Sequence, residues 1–209
     1  MYVDFGTWIG PTLFFAAQMT GSAFGIEADP VAYASASATL HLNSEKPWFR
    51  KVRIQPAGVG PGSSDMLTST EVSMISASAG NSCSGMGSKV NCGVVTDKWR
   101  VNTFTLPALL KHWGVADGII FVKIDVESFE CTLVPSWIPW LSTLETKPTF
   151  FISFHSYVTA CTENEYQLIL EFARLFRSVL LANGERVRLE NSFDDLKGDA
   201  LLLSDRDYL

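Results

Sequence analysis

The chain has 209 residues, enough for one domain that buries a full core. With 47% hydrophobic and 18% charged residues it reads as globular, not disordered. A net charge of −6 opposes nucleic acid as partner, because phosphate binding needs a basic face.

The predicted elements alternate. Tyr2–Phe5 is a short apolar strand that stops at Gly6. A helix follows from Pro11 to about Met19, with proline in the first turn where its missing N–H is harmless. Residues 23–26 form a second strand. Asp29 caps a helix that has Pro30 at its first position and runs to about Leu42. Residues 51–55 form a third strand, closed by Pro56 and Gly58.

Residues 58–93 change in character. They are rich in Gly, Ser and Thr, with short apolar pieces such as Met74-Ile75 that suit hairpin strands. This stretch reads as an insertion or lid within a single domain covering residues 1–209. Helical spacing returns over residues 103–113, in Leu106, Leu109, Leu110 and Trp113. A strand spans residues 119–124. Residues 127–144 are helical with breaks at Pro135 and Pro139, and residues 149–154 form another strand. Residues 163–182 are the clearest amphipathic helix, ending at Asn183-Gly184. Residues 186–189 and Ala200–Ser204 are the last strand candidates.

Strands alternating with helices predict an α/β fold, a doubly wound and mostly parallel sheet with helices on both faces. Such sheets bind ligands at the carboxyl ends of their strands, and the chemically interesting residues follow strands. Asp4-Phe5-Gly6-Thr7-Trp8-Ile9-Gly10 joins the first strand to the first helix. Gly6 permits a sharp turn and close approach of a ligand, and the helix start offers unpaired N–H groups. Glu27 closes the second strand, where a carboxylate accepts both hydroxyls of a ribose. Lys123, Asp125 and Glu127 alternate with apolar neighbours after the fourth strand, where charges need partners or a pocket. His155 ends the fifth strand and is suited to act as a general base. His41 and His112 lie on helices, away from strand ends.

Other signals are plainer. Arg50-Lys51-Val52-Arg53 and Arg186-Val187-Arg188 read as solvated charge on strand faces. Cys83, Cys92, Cys131 and Cys161 include no C-x-x-C pair, so a metal site is not expected. Reduced thiols in a cytoplasmic protein are the simpler reading for a chain of this size. The first residues show no basic leader, and no apolar run is long enough to span a bilayer. Because the chain begins inside its first strand, an upstream segment is expected to be missing.

Val3-Asp4-Phe5-Gly6-Thr7-Trp8-Ile9-Gly10-Pro11-Thr12, Gly25-Ile26-Glu27-Ala28-Asp29-Pro30 and Val122-Lys123-Ile124-Asp125-Val126-Glu127 together resemble the FkbM family of methyltransferases. Weaker echoes are residues 101–107 and Ser153-Phe154-His155-Ser156. The resemblance implies a Rossmann-like class I methyltransferase that uses S-adenosyl-L-methionine. It also implies O-methylation of a hydroxyl on a sugar, glycan or other small metabolite. By position, Asp4, Gly6, Thr7 and Gly10 would line the methionine part of the cofactor, Glu27 would hold the ribose and Asp125 would lie beside the transferring methyl. Ala57, after the third strand, stands where an adenine contact is expected. His155, then Asp125, are the candidate catalytic bases for an in-line transfer that needs no metal. The chain departs from the family pattern at Trp8, where Asn is common, and at Ser128, where Gly usually follows Glu127.

Three other readings compete. A nicotinamide-dependent oxidoreductase would carry G-x-G-x-x-G, which is absent. A serine hydrolase would carry G-x-S-x-G after a strand, also absent. A non-catalytic relative would bind the cofactor and turn nothing over.

Overall fold

We describe a computed structural model of the chain, covering residues 1–76, 84–86, 97–115, 119–126, 129–154, 161–189 and 200–206. The first three strands are β1 (Tyr2–Phe5), β2 (Ala23–Glu27) and β3 (Val52–Pro56), joined by helices α1 (Pro11–Met19) and α2 (Pro30–Leu42). The caps explain the helix starts. Asp29 accepts hydrogen bonds from the N–H groups of Val31 at 2.8 Å and Ala32 at 3.1 Å, and Pro30 follows it. Gly10 caps α1 in a left-handed conformation, φ 92°, with no side-chain acceptor.

Next come β4 (Gly58–Val59), β5 (Thr70–Ser76), β6 (Ser84–Met86) and β7 (Asp97–Phe104). Helix α3 (Leu106–His112) starts at Thr105, whose hydroxyl accepts from the N–H of Ala108. The expected helix at residues 103–113 therefore loses its first turn to β7. Strand β8 (Phe121–Ile124) is shorter than expected, and Ile119 is exposed outside it. The proline-broken helical stretch resolves into α4 (Glu130–Leu133), a 3-10 turn (Val134–Trp137) and α5 (Ile138–Leu141).

After β9 (Thr149–Ser153), helix α6 (Glu163–Ala173) opens with a capping box between Thr162 and Glu165. It ends nine residues sooner than the sequence suggested. Ser178–Leu181 leaves it as strand β10 and pairs antiparallel with β11 (Ala200–Ser204). A short apolar run is ambiguous between helix and strand by periodicity, and pairing with β11 decides it here. Residues 186–189 contribute one bridge, Arg186 to Leu180, and no strand.

Seven strands form the main sheet, in the order β10-β11-β9-β8-β1-β2-β3. Pairs among β3, β2, β1, β8 and β9 are parallel; β11 is antiparallel to both its neighbours. The chain thus winds out from β1 in one direction, then returns to its other side with β8. That reversal leaves a crevice at the carboxyl ends of β1 and β8. One face packs Tyr2, Ala23 and Val52 under Leu13 and Ala17 of α1 and Leu40 of α2. The other packs Val3, Phe5, Val122, Ile124, Phe150 and Ile152 under the remaining helices. Alternation of side chains along each strand makes both faces apolar, as helices on both sides require.

The expected insertion at residues 58–93 holds β4, β5 and β6, and β7, which lies beyond it, joins them in a second sheet, β4-β7-β5-β6, with β5 and β7 antiparallel over Thr70–Ser76. Cys131 and Cys161 are joined in a disulfide, correcting the expectation of reduced thiols for this pair. The first turn of α4 and the residue before the α6 cap bring their Cα atoms to 5.8 Å, within bridging range. Cys83 and Cys92 lie outside the described residues. No described helix is long and apolar enough to cross a membrane.

Candidate functional site

The carboxyl ends of β1, β2, β3 and β8 bring together Asp4, Gly6, Thr7, Gly10, Glu27, Ala57 and Asp125. Parallel register does this: Asp4 lies opposite Lys123, and Glu27 closes β2 opposite Pro56. The turn after β1 is tied to both neighbouring strands. The N–H groups of Gly6 and Thr7 both donate to the Ile26 carbonyl at 3.1 Å, and the Asp125 N–H donates to the Phe5 carbonyl at 3.0 Å. Gly6 has φ 75°, and a Cβ there would collide with the Asp125 carbonyl oxygen. Glycine is required for conformation and for space.

Glu27 is 8% exposed, and each of its oxygens accepts one backbone N–H. Oε2 accepts from Trp8 at 2.7 Å and Oε1 from Asp29 at 2.7 Å. These bonds span the turn after β1 and the start of α2, so Glu27 is fixed on both sides. An ionised carboxylate has about four acceptor positions. With the Ala28 amide as a further backbone donor, the carboxylate keeps acceptor capacity for a ligand hydroxyl. Burial raises the Glu27 carboxyl above its ordinary value, against the opposing pull of the Asp29 and Trp8 amides.

Asp4 is fully buried and turned inward. Its Oδ1 accepts from Lys123 Nζ at 3.2 Å and its Oδ2 from Thr12 Oγ1 at 2.6 Å and the Tyr2 hydroxyl at 3.4 Å. Burial, then the Asp4 charge, hold the Tyr2 phenol far above its usual range, so it stays protonated and donates. Lys123 also pairs with Asp125 Oδ2 at 3.1 Å. Burial pulls the Lys123 ammonium down, and Asp4 and Asp125 more than reverse that, leaving it charged above the ordinary lysine value. Burial raises the Asp4 carboxyl above its ordinary value, against the opposing pull of Lys123 and Thr12. The more exposed carboxylate of the cluster is Asp125.

The other expected residues are placed as follows. Thr7 is buried, and its hydroxyl donates to the Asp4 carbonyl at 2.9 Å. Ala57 is buried, and its N–H donates to the Glu27 carbonyl at 3.1 Å. Gly10 presents the uncapped start of α1. His155, Glu127 and Ser128 lie outside the described residues. Three contributors were missed in the sequence. Thr12 and Tyr2 complete the Asp4 cluster. Glu130 is buried in α4 and its Oε1 accepts from the Val126 N–H at 2.9 Å, holding the loop beyond Asp125. A carboxylate six residues past a strand gave no signal beyond surface charge. Trp99 of β7 is a fourth: its Nε1–H donates to the Ala28 carbonyl at 2.9 Å and docks the second sheet beside Glu27.

No protein-family model matches the chain, and no curated protein does. Among solved structures it is similar to the FkbM methyltransferase of Methylobacillus flagellatus KT, with TM-score 0.55 and 16% identity. That match covers 98% of this chain and 43% of the other, so the chain spans less than half of its neighbour's length. A Clostridium thermocellum protein provisionally assigned as an rRNA-methylase aligns with TM-score 0.42 and 12% identity over 97% of this chain and 83% of that one. The fold is thus a mostly parallel α/β sheet of Rossmann-like type, shared with the FkbM methyltransferase of Methylobacillus flagellatus KT.

Proposed function

We propose that the chain is an S-adenosyl-L-methionine-dependent methyltransferase that methylates a hydroxyl oxygen on a sugar or other small metabolite. The observation that carries the reading is Glu27, a buried carboxylate fixed by backbone amides at the carboxyl end of β2. The neighbouring groups fit the rest of such a donor. The start of α1 has no side-chain cap, so its first-turn N–H groups suit a carboxylate. Gly6 and Gly10 take the positive φ that the tight turn between β1 and α1 uses. Asp125, the more exposed carboxylate of the Lys123 cluster, suits a cationic centre beside it.

The chemistry the donor supplies when bound is a methyl group made electrophilic by a positively charged sulfur. The chain's own residues then have limited tasks. Glu27 grips the ribose hydroxyls. Asp4 and Lys123 keep the β1 and β8 ends in register, so that Asp125 keeps a fixed position. An alcohol acceptor must lose its proton as its oxygen forms the new bond. His155 is the first choice to take that proton and Asp125 the second. Alignment of acceptor oxygen with the methyl carbon supplies the rest of the acceleration.

Calorimetric titration with S-adenosylmethionine and S-adenosylhomocysteine tests the reading. Saturable binding is expected, weakened about tenfold or more in Glu27→Ala, as loss of a charged acceptor implies. Absence of binding by the native chain to both compounds would remove the assignment. Labelled-donor transfer to a panel of hydroxylated sugars, with His155→Ala alongside, then tests the acceptor class and the base.

A further inference from the structure

At the opposite end of the sheet from Glu27, a cleft of about 480 Å³ opens between the start of β2, the edge strand β3 and the end of α3. The sequence suggested that the cations of residues 50–53 were dispersed into solvent. The fold instead gathers Arg50, Lys51 and Arg53 around this one cavity, together with Phe24, Trp113 and Ser22. None of the described lining residues is acidic, in a chain with six more carboxylates than bases.

The cations differ in their commitments. Lys51 Nζ donates to the carbonyls of Thr20 at 3.0 Å and Ala17 at 3.4 Å, closing the end of α1. Arg53 lies opposite Phe24 across the β2–β3 pair, with its guanidinium 5.9 Å from the ring centre. Phe24 is itself stacked on Trp113, with ring centres 4.7 Å apart. The Arg53 guanidinium is therefore held against an aromatic floor. Neither Arg50 nor Arg53 pairs with a described carboxylate. Neighbouring like charges repel, and a shared anion relieves that repulsion. Two guanidiniums match the oxygens of a tetrahedral oxyanion, and each can engage it through paired N–H groups. The cavity is larger than a free oxyanion fills, and its aromatic and aliphatic lining suits the body of an organic molecule.

We infer that this cleft is a second binding site, separate from the Glu27 crevice, for a small molecule bearing a phosphate or sulfate ester. The site does not depend on the methyltransferase reading, and S-adenosylmethionine binding measured on the same samples keeps the two apart.

The test is titration of the chain in low salt, about 50 mM, with adenosine monophosphate, glucose 6-sulfate and inorganic phosphate. Saturable binding of one of the esters is expected. It should weaken about tenfold in Arg50→Gln and in Arg53→Gln, and stay unchanged in Arg186→Gln, a distant exposed arginine. The preferred ester identifies which oxyanion the cleft takes. Circular dichroism melts of the variants confirm that they remain folded. Binding of inorganic phosphate only, no saturable binding of either ester, or equal weakening by Arg186→Gln would each overturn the inference.

Discussion

Trp8 carries a backbone conformation its side chain does not favour. Its φ is 51°, and it is the one non-glycine described residue in the left-handed region. Asn tolerates that region far better than an aromatic residue, and a left-handed L-residue costs roughly 1–2 kcal/mol. The conformation aims the Trp8 N–H at Glu27, so strain and site share one peptide unit. Trp8→Asn should keep that bond and raise stability by about 1 kcal/mol, a melting shift of roughly 2–4 °C. A lower melting temperature would mean that contacts of the 39% exposed ring outweigh the backbone. Glu27 itself sets a pH dependence. Its folded-state carboxyl sits above its ordinary value of 4.5, chiefly through burial. The stability lent by its protonation is therefore full below the ordinary value and is lost as pH rises through the raised one. Diol binding runs the other way, since it needs the carboxylate. Affinity for S-adenosylhomocysteine should fall, as pH is lowered, at a midpoint above 4.5. Titrations across that range check it, with Glu27→Gln expected to flatten the curve; a midpoint at the ordinary value would show that Glu27 is not the group being read.

At the scale of elements, the disulfide connects two pieces that the sheet alone leaves far apart in sequence. Cys131 lies in α4, directly after Glu130, which holds the loop beyond Asp125; Cys161 precedes the α6 cap. The closed loop has a sequence separation of 30, for which loss of the cross-link costs about 3 kcal/mol. Thiol reductant should lower the melting temperature by roughly 10 °C, and a Cys131→Ala/Cys161→Ala double variant should melt low and ignore reductant. A melt indifferent to reductant in the native chain would dismiss the bridge as a stabilising tie. This pairing shows where sequence legibility stopped. Strand ends, caps and prolines act locally, so β1, α1, α2 and the breaks at Pro135 and Pro139 were readable from neighbouring residues. Pairing across the fold was not. The bridge, the exit of Ser178–Leu181 from the expected helix and the Tyr2 and Thr12 bonds to Asp4 all depend on partners distant along the chain. Glu27 and Asp125 were legible because a parallel sheet puts its chemistry at strand ends, a rule that works without knowing the register.

The molecule as a whole is two sheets meeting at one edge of the candidate site. Helices cover the seven-stranded sheet on both faces; the four-stranded sheet, among its described side chains, buries Val59, Met74, Val101 and Thr103. Composition revealed the change in character after residue 58, but the turn-rich sequence concealed β7, whose long pairing with β5 organises the second sheet. Its ties to the first include the Trp99 bond to Ala28 and the chain link into β4 through Ala57, whose N–H donates to the Glu27 carbonyl. Ala28 follows Glu27 directly, so any loosening of the second sheet reaches the proposed ribose grip through one peptide. Trp99→Phe keeps most of the bulk and deletes the donor, leaving the Ala28 carbonyl one partner short at a cost of about 1 kcal/mol. Amide exchange in Thr70–Ser76 and Asp97–Phe104 should accelerate about fivefold, while β1, β8 and β9 keep native protection. Affinity for S-adenosylhomocysteine should fall only a few-fold, because Glu27 retains its bonds to Trp8 and Asp29. Uniform acceleration across both sheets would instead mean that they open as one cooperative unit, and that the second sheet is part of the core rather than a cover beside the site.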